Sequence, residues 1–404
     1  MKILIVHNDY GKYSGEEAVV DTMIADGRRA GFEIETLRRT SKDARDTFWG
    51  QVHGFFSGMF SISGRRMMRQ ALRTFQPDII HIHNLYPFIS PSVLPLCKRY
   101  GAPVVMTVHN YRLICPTGLF LRDGKPCENC LHNGNEKDCV RYNCEGSLFR
   151  SIGYAMRNAV ARISKVYLND VDYYCCLTQF QKQKLIEAGF DERKIKVFGN
   201  YTKYVIPEEP DEETEKWGVG YIGYVGRLSY EKGFDMLIEV ARRHPEIEFR
   251  LAGEIRDGNN IQLPQNVQMC GYLTNERLAR FYCNSSFIMI PSRCYEGFPM
   301  VLLESSSHQR CCIAPNHGAF PDIMTEKESG EVSGVLFNPL DVDDLERKTV
   351  ELWNNKNECA RLGLLAEKNY KNRFIKAKSN QQWDYFLKEI IERKKIDKTK
   401  IIKN

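Results

Sequence analysis

The chain has 404 residues, with 57 Lys and Arg against 51 Asp and Glu and a formal net charge of +6. This length exceeds what one ordinary hydrophobic core fills, so we expect two domains of about 200 residues each. So mild a charge argues against a nucleic-acid binder, and 43% hydrophobic residues exclude a disordered chain. No apolar run in the sequence approaches the roughly 20 residues that cross a bilayer.

Short apolar runs alternate with helical patterns along the whole chain. They predict strands at residues 3–6, 79–83 and 104–109 in the first half, and at 221–225, 249–252, 287–290 and 311–314 in the second. These runs are nearly continuous, as in parallel strands covered on both faces, so the alternation predicts doubly wound α/β sheets. The first run is too short for a signal peptide, and we expect a cytoplasmic protein with reduced cysteines.

The first half carries a glycine turn and two basic stretches. The segment Ser14-Gly15-Glu16-Glu17 follows the first strand and by itself fits a plain turn between a strand and a helix. Basic residues recur amid apolar ones in two groups: Arg65, Arg66, Arg69 and Arg73, then Arg150, Arg157, Arg162 and Lys165. Each group fits either an amphipathic helix whose cations lie on anionic lipid or a solvated helix face.

Three histidines lie on or after predicted strands of the first half. His81 and His83 alternate along one strand and therefore share a face, where they line a ligand pocket or serve as hydrogen-bonded core residues. His109 lies at the carboxyl end of the next strand. Doubly wound sheets bind ligands at that edge, so we expect His109 at the mouth of a cleft between the domains.

A polar segment of the first half is rich in cysteine. Cys127, Cys130, Cys139 and Cys144 have a spacing compatible with a structural zinc site, which would leave no open coordination position. The second spacing is irregular, and His132 and Cys115 are competing ligands. A reducing compartment disfavours disulfides, so the alternative to a zinc site is a set of free thiols, and the sequence favours neither of these two.

Residues 205–217 mark a domain boundary, because their two prolines and six acidic residues cannot form a packed core. We therefore predict a first domain over residues 1–200 and a second over residues 201–378. Near the end, Trp383, Phe386, Leu387 and Ile390 share one helical stripe. This stripe predicts a helix at about residues 379–394, which we assign to the first domain.

The strongest signal is the turn after the strand at residues 221–225. Gly226 and Gly233 allow the backbone to bend closely around a ligand. Between them, Arg227 offers a planar fork of donors and Lys232 offers a point charge. This arrangement suits a diphosphate, and the alternative is a surface loop with two ordinary cations.

A second motif runs from Glu296 to Glu304. Pro299 suits the first turn of a helix, which leaves the backbone N–H groups of Met300 and Val301 available to an anion. Glu296 precedes this helix and Glu304 lies about a turn and a half inside it, so the two carboxylates cannot share one role. A plain capping loop is the alternative, but it leaves a buried acid in need of a partner.

In this order and spacing, Gly226-Arg227-x4-Lys232-Gly233 and Glu296-x7-Glu304 resemble the motifs of family-4 retaining glycosyltransferases. The resemblance extends over the whole chain and implies the GT-B fold, in which two doubly wound, Rossmann-like domains flank an interdomain cleft. It implies that Arg227 and Lys232 bind the donor diphosphate. It also implies that Glu296 contacts the transferred sugar and that Glu304 binds the ribose.

The same resemblance assigns roles to other residues. Gly15 would approach the donor phosphate, although many relatives have two glycines where this chain has Ser14 and Gly15. His109 would be the catalytic residue of the first domain, orienting the donor and stabilising charge rather than acting as a strong base. The nucleoside would face Gly253 and a second stretch formed by Gly271, Tyr272 and Leu273.

The resemblance implies a retaining hexosyltransferase that moves a sugar from a nucleotide-sugar donor to an acceptor. The implied acceptor is a lipid-linked glycan of surface-polysaccharide synthesis, met at the anionic inner face of the plasma membrane. No catalytic metal is implied, because fixed cations replace it. A nucleotide-sugar epimerase on the same fold and a non-catalytic nucleotide-sugar-binding subunit are the alternatives. The sequence identifies neither the sugar, the base nor the acceptor.

Overall fold

The computed structural model describes residues 1–10, 14–41, 47–202, 204–207, 220–255 and 262–403. The chain divides into two compact units. The first unit comprises Met1–Phe120, Glu128–Phe198 and Gln381–Asn404, and the second comprises Leu121–Cys127 and Gly199–Asn380. The predicted boundary segment falls largely outside the described residues, because residues 208–217 are among those not described.

The first half of the chain contains eight strands among its described residues. They are β1 (Lys2–Asp9), β2 (Glu33–Thr40), β3 (Ile79–Asn84), β4 (Val104–Val108), β5 (Leu121–Arg122), β6 (Lys125–Pro126), β7 (Tyr173–Cys176) and β8 (Ile195–Val197). Six form a parallel sheet in the order β2-β1-β3-β4-β7-β8. Its central strands β3 and β4 are buried along their whole length, as expected for strands covered on both faces. The antiparallel hairpin β5–β6 belongs to the second unit.

The described part of the first half contains nine α-helices. They are α1 (Gly15–Arg29), α2 (Phe48–Met59), α3 (Ile62–Phe75), α4 (Leu94–Tyr100), α5 (Asn129–His132), α6 (Lys137–Arg141), α7 (Leu148–Ile163), α8 (Val166–Asp170) and α9 (Gln179–Glu187). Ser14 caps α1, because its hydroxyl accepts a hydrogen bond from the backbone N–H of Glu17 and donates one to the Glu17 carboxylate. This cap fixes where the chain turns from β1 into the helix.

The second unit is built on another parallel sheet. Its strands are β9 (Tyr221–Val225), β10 (Phe249–Ala252), β11 (Val267–Gly271), β12 (Ser285–Met289), β13 (Cys312–Pro315) and β14 (Val335–Phe337), in the order β11-β10-β9-β12-β13-β14. Separate hydrophobic clusters form around this sheet, one including Leu237 and Phe249 and the other including Phe281 and Leu303. β9 and β12 are neighbours, which brings the loops after these two strands to one edge of the sheet.

The remaining helices are α10 (Phe234–Arg243), α11 (Asn275–Asn284), α12 (Met300–Ser307), α13 (Phe320–Met324), α14 (Val342–Trp353), α15 (Lys356–Arg373) and α16 (Lys376–Lys403). The last part of α16 lies in the first unit, where Phe386, Leu387 and Ile390 are buried in one cluster with Ile3 and Ile79. No helix among the described residues is long and apolar enough to cross a membrane.

All seven predicted strands are confirmed, with ends displaced by up to three residues. Helix α10 begins at Phe234, directly after the predicted glycine turn. One detail was wrong. Pro299 does not occupy the first helical turn, because α12 begins at Met300 and Pro299 is the extended residue just before it.

Candidate functional site

In the second unit, two glycines bring neighbouring strand ends into close contact. Gly253 has a φ of +154°, and a Cβ there would lie 1.8 Å from the carbonyl oxygen of Gly226. Gly233 has a φ of +70°, and a Cβ there would lie 1.8 Å from the carbonyl oxygen of Pro291. No side chain fits at either position, so these glycines hold the turns after β9, β10 and β12 together.

The predicted cation Lys232 and the predicted acid Glu296 form an ion pair. Lys232 Nζ donates a hydrogen bond of 2.6 Å to Glu296 Oε1, and the Ser292 hydroxyl donates another of 2.7 Å to the same oxygen. Burial opposes the charge on both groups, but their mutual attraction prevails. The pKa of Lys232 is raised and that of Glu296 is lowered, so both remain charged.

Arg227 lies beside this pair with its side chain 43% exposed. Its guanidinium is 3.3 Å from Glu231, and its charge contributes to lowering the pKa of Glu296. Tyr224 positions the turn, because its hydroxyl donates a hydrogen bond of 2.6 Å to the carbonyl oxygen of Arg227. The structure therefore brings together Arg227, Lys232 and Glu296 at the carboxyl edge of the sheet.

The start of α12 lies just beyond Glu296 in the sequence. No side chain caps this helix, since the residue at the cap position is Pro299. Met300 and Val301, at its first two positions, are partly exposed. An uncapped helix start favours an anion, because its first N–H groups lack partners within the helix.

Glu304 occupies a separate, partly buried position within α12. Its Oε2 accepts a hydrogen bond of 2.7 Å from the hydroxyl of Tyr282, on α11. Burial raises the pKa of Glu304, while the Tyr282 hydrogen bond and the nearby His308 lower it. The Tyr282 ring stacks on that of His308, with centroids 5.6 Å apart. Glu304 thus has the hydrogen-bond partner that a partly buried carboxylate requires.

The predicted nucleoside-facing stretches also meet. The backbone N–H of Gly253 donates a hydrogen bond of 2.8 Å to the carbonyl oxygen of Gly271. Gly271 has a φ of +68° and open space where a Cβ would be. Tyr272 is 67% exposed, whereas Leu273 is buried. An exposed aromatic ring beside two glycine turns offers a surface on which a base can stack.

In the first unit, the predicted histidines lie in a row. The rings of His81 and His83 share one face of β3, with centroids 4.1 Å apart, which confirms their predicted alternation. His83 Nδ1 and His109 Nε2 are 2.8 Å apart and joined by a hydrogen bond. Burial lowers the pKa of His81 and of His109 to about 3, so both imidazoles are neutral at pH 7.

Next to this row lies a partly buried polar cluster that no sequence motif predicted. The Tyr10 hydroxyl donates a hydrogen bond of 2.9 Å to Glu16 and accepts one of 3.1 Å from Arg112. Glu16 Oε1 is 3.8 Å from Nδ1 of the buried His7. Burial raises the pKa of Glu16. The sequence did contain a signal for this cluster, because Tyr10 and Arg112 each follow closely on a predicted strand and so lie at the same edge of the sheet.

Gly15 begins α1 beside Glu16, and a Cβ there would meet nothing within 4 Å. A side chain would therefore fit at this position without a steric clash. Among the residues that the structure describes, the Glu16 Oε1 atom, the Arg112 Nε atom and both ring nitrogens of His7 have no hydrogen-bond partner. Unpaired buried polar atoms at the carboxyl edge of a sheet are typical of a ligand site.

The cysteine cluster is divided between the two units, because Cys127 belongs to the second and Cys130, Cys139 and Cys144 to the first. The Cys139 thiol shares a hydrogen bond with Cys144, which together with burial raises its pKa. Across the described parts of the chain, no three His, Cys, Asp or Glu side chains are arranged to hold a metal ion. The zinc site stays a prediction, which metal analysis of the purified protein would check.

The comparison with known families decides the identity of the chain. Residues 13–201 match the description "Glycosyltransferase Family 4", and residues 205–369 match "Glycosyl transferases group 1". The chain belongs to the family-4 glycosyltransferases. These two matches cover both halves of the chain, and the second includes the ion pair of Lys232 and Glu296.

Individual relatives of this glycosyltransferase are distant. A protein of the cps region of Klebsiella pneumoniae is 27% identical over 68% of either chain. A sulfoquinovosyl transferase of Arabidopsis thaliana is 25% identical over 72% of this chain and 53% of its own. A poly(ribitol-phosphate) alpha-N-acetylglucosaminyltransferase of Staphylococcus aureus is 24% identical over 72% of this chain and 58% of its own. The chain thus spans little more than half the length of the last two.

Solved structures show the fold of the glycosyltransferase. A sucrose-phosphate synthase of Thermosynechococcus elongatus aligns over 97% of this chain and 99% of its own, with a TM-score of 0.71 and 14% identity. HepE of Anabaena, solved in complex with UDP-glucose, aligns over 96% of this chain and 100% of its own, with a TM-score of 0.65 and 15% identity. The predicted GT-B fold of two Rossmann-like domains is confirmed.

Proposed function

We propose that the chain is a retaining hexosyltransferase that transfers a sugar from a nucleotide-sugar donor to a glycan acceptor of surface-polysaccharide synthesis. The observation that carries this proposal is the ion pair of Lys232 and Glu296 beside the exposed Arg227. A nucleotide diphosphate carries more negative charge than one carboxylate and competes for Lys232. Lys232 then turns to the diphosphate, and Glu296 is released to accept hydrogen bonds from the hydroxyls of the sugar.

The reaction breaks the bond between the anomeric carbon and the diphosphate oxygen. The acceptor oxygen bonds to the same carbon on the face that the diphosphate leaves, and a departing phosphate oxygen takes the acceptor's proton. Arg227, Lys232 and the start of α12, at Met300 and Val301, stabilise the departing anion. Retention rests on the resemblance to the family. Catalysis without a metal ion is part of the same proposal.

The remaining site residues receive roles within this proposal. Glu304 accepts hydrogen bonds from the ribose, and Tyr272 stacks on the base between the glycine turns of Gly253 and Gly271. His109 orients the donor sugar as a neutral hydrogen-bonding group. The Glu16 cluster offers a carboxylate to hydroxyls of the acceptor, which a sugar acceptor has in abundance.

The donor class is supported by solved structures of the same fold that hold UDP and UDP-glucose. The acceptor class is supported by a relative from a cps region and by one that acts on poly(ribitol-phosphate). A lipid-linked form of the acceptor and a cytoplasmic site of action remain predictions from the family.

A thermal-shift titration with UDP, UDP-glucose, UDP-N-acetylglucosamine, GDP-mannose and ADP-glucose tests the donor assignment. A true donor stabilises the protein by about 2.7 kcal/mol when present at 100 times its Kd. We expect Lys232→Ala to abolish this shift and Lys327→Ala to retain it, since Lys327 pairs with Asp322 on the surface of the same unit. Identical shifts in both variants would remove the diphosphate assignment.

Product analysis tests the reaction. We expect free nucleotide to appear only with an acceptor, and the anomeric proton of the product to keep the configuration of the donor by NMR. Conversion of the donor to an epimer without acceptor would identify an epimerase instead. Donor binding with no turnover over a broad acceptor panel would favour the non-catalytic subunit.

A further inference from the structure

Helix α2 exposes the face that an ordinary surface helix buries. Trp49 and Phe56 lie two turns apart on one side of α2 and are 77% and 62% exposed, and Phe60, the extended residue directly after the helix, is 57% exposed. The helix of a soluble domain normally turns its apolar stripe towards the core. Three large aromatic rings that face solvent together therefore indicate a surface that is covered in the functional state.

Helix α7 shows the same inversion. Its exposed side includes Leu148, Met156 and Ile163, which are 57%, 42% and 72% exposed. Its buried side instead carries mostly small or polar residues: Ser151, Gly153, Ala155, Asn158 and Ala161. The large apolar side chains of α7 thus point away from the core of the unit.

These two surfaces adjoin one another. The ring of Phe55 on α2 stacks on that of Phe149 on α7, with centroids 5.1 Å apart. A Cβ on Gly153 would lie only 2.6 Å from the Phe55 ring, so the helices pack tightly at that point. We call the joint surface the apolar face, and define it as Trp49, Phe56, Phe60, Leu148, Phe149, Met156, Val160 and Ile163.

Cations border the apolar face on the side of α3. Arg66, Arg69 and Arg73 are exposed on one side of this helix, and the Arg65 guanidinium lies 5.2 Å from the centroid of the Phe60 ring. The sequence has no Asp or Glu between residues 47 and 77 or between residues 146 and 169. Within the described parts of the chain, none of these arginines forms an ion pair with a carboxylate.

The second predicted basic stretch contributes fewer exposed, unpaired cations to this surface than its sequence indicates. Arg157 is buried and donates a hydrogen bond of 2.9 Å to the carbonyl oxygen of Pro116, so it faces the interior. Arg162 pairs with Glu136. Arg150 and Lys165 are exposed and remain available to a charged surface. The cation row of α3 is therefore the main electrostatic feature of this side of the unit.

We propose that the apolar face docks on an anionic lipid bilayer. Its aromatic and aliphatic side chains enter the boundary between headgroups and acyl chains, and the α3 arginines contact lipid phosphates. A second copy of the chain fits less well, because a twofold interface on this surface would bring the unpaired arginines of both copies together. The docking surface does not depend on the donor assignment, and it would hold the enzyme where a lipid-linked acceptor lies.

Cosedimentation with vesicles tests this docking. We expect strong binding to vesicles of phosphatidylcholine and phosphatidylglycerol and weak binding to phosphatidylcholine alone. Trp49→Ser combined with Phe56→Ser should weaken binding at least tenfold. Arg66→Gln, Arg69→Gln and Arg73→Gln together should weaken binding to anionic vesicles on the order of a hundredfold, at about fivefold for each arginine. All of these side chains are exposed, so unchanged thermal stability checks that the variants fold.

The matched control is Leu364→Ser combined with Tyr385→Ser, which removes two side chains that are 58% and 71% exposed elsewhere. It should bind vesicles like the wild type. Absence of wild-type binding, equal loss in the control, or full binding by the Trp49 and Phe56 variant would overturn the proposal. The proposal would also be overturned if sedimentation velocity showed a wild-type dimer and the Trp49 and Phe56 variant were monomeric. UDP-induced thermal shifts should be equal in all variants, which separates this test from that of the donor site.

Discussion

Lys232 donates a hydrogen bond of 2.6 Å to Glu296, a residue 64 positions further along the chain. The two residues follow β9 and β12, which are neighbours in the sheet of the second unit. This pair neutralises a partly buried cation and a partly buried carboxylate at once. Removing either partner leaves the other uncompensated.

Glu296→Gln should separate binding from catalysis. We expect the variant to bind donor as well as the wild type or more tightly, because Lys232 no longer needs to leave a carboxylate. Transfer should fall by about 10²–10³, the usual effect of removing one preorganised electrostatic contact. Asp235→Asn is the control, since Asp235 pairs with Arg293 on the surface of the same unit. Normal transfer by Glu296→Gln would remove Glu296 from the reaction.

Glu304→Gln should change how stability depends on pH. Burial raises the pKa of Glu304, so the folded state binds the proton more tightly than the unfolded state and loses stability as pH rises. The Gln variant lacks this loss and can still accept the Tyr282 hydrogen bond. Its unfolding free energy relative to the wild type should therefore increase as pH rises above 4.5.

Urea unfolding at several pH values between 4 and 8 measures this difference, and the donor affinity of the variant should fall if Glu304 binds the ribose. A constant difference in stability across this range would show that Glu304 titrates normally. Tyr282→Phe provides a second check, because it removes the hydrogen bond that lowers the pKa of Glu304. It should therefore strengthen the dependence on pH.

His109→Gln should weaken the acid sensitivity of the protein. Burial lowers the pKa of His109 to about 3, so the folded state binds the proton less tightly than the unfolded state. As pH falls below the usual value of 6.5, the unfolded state takes up the proton and the folded state loses stability relative to it. Between pH 6 and pH 5 the variant should lose roughly 1 kcal/mol less stability than the wild type. His244→Gln is the control, because the pKa of the partly exposed His244 is raised. If His109→Gln and the wild type lost the same unfolding free energy between pH 6 and pH 5, His109 would have an ordinary pKa in the folded protein.

Gly253→Ala should be far more damaging than Gly271→Ala. The first places a Cβ 1.8 Å from the Gly226 carbonyl oxygen, whereas the second meets no atom within 4 Å. Gly271→Ala should cost about 1–2 kcal/mol for a positive φ alone. Gly253→Ala should lower the unfolding free energy by more and weaken the thermal shift by donor. Equal costs in urea unfolding would contradict the close approach of the two turns.

The sequence by itself determined the strands, because nearly continuous apolar runs report burial on both faces of a parallel sheet. It also located Arg227, Lys232, Glu296 and Glu304 within two local motifs. Sequence spacing could not show that Lys232 and Glu296 form an ion pair, since that depends on which strands are neighbours in the sheet. Nor could it show that Tyr10, Glu16 and Arg112 form a partly buried, hydrogen-bonded cluster.

Tertiary structure also decided which side of each helix is exposed. The basic stretch around Arg157 has helical periodicity whether its large apolar residues face the core or solvent. Only the packing shows that α7 buries its small residues and Arg157 while exposing Leu148 and Ile163. Periodicity records how side chains repeat along one helix, whereas burial depends on which surfaces of other elements lie against it.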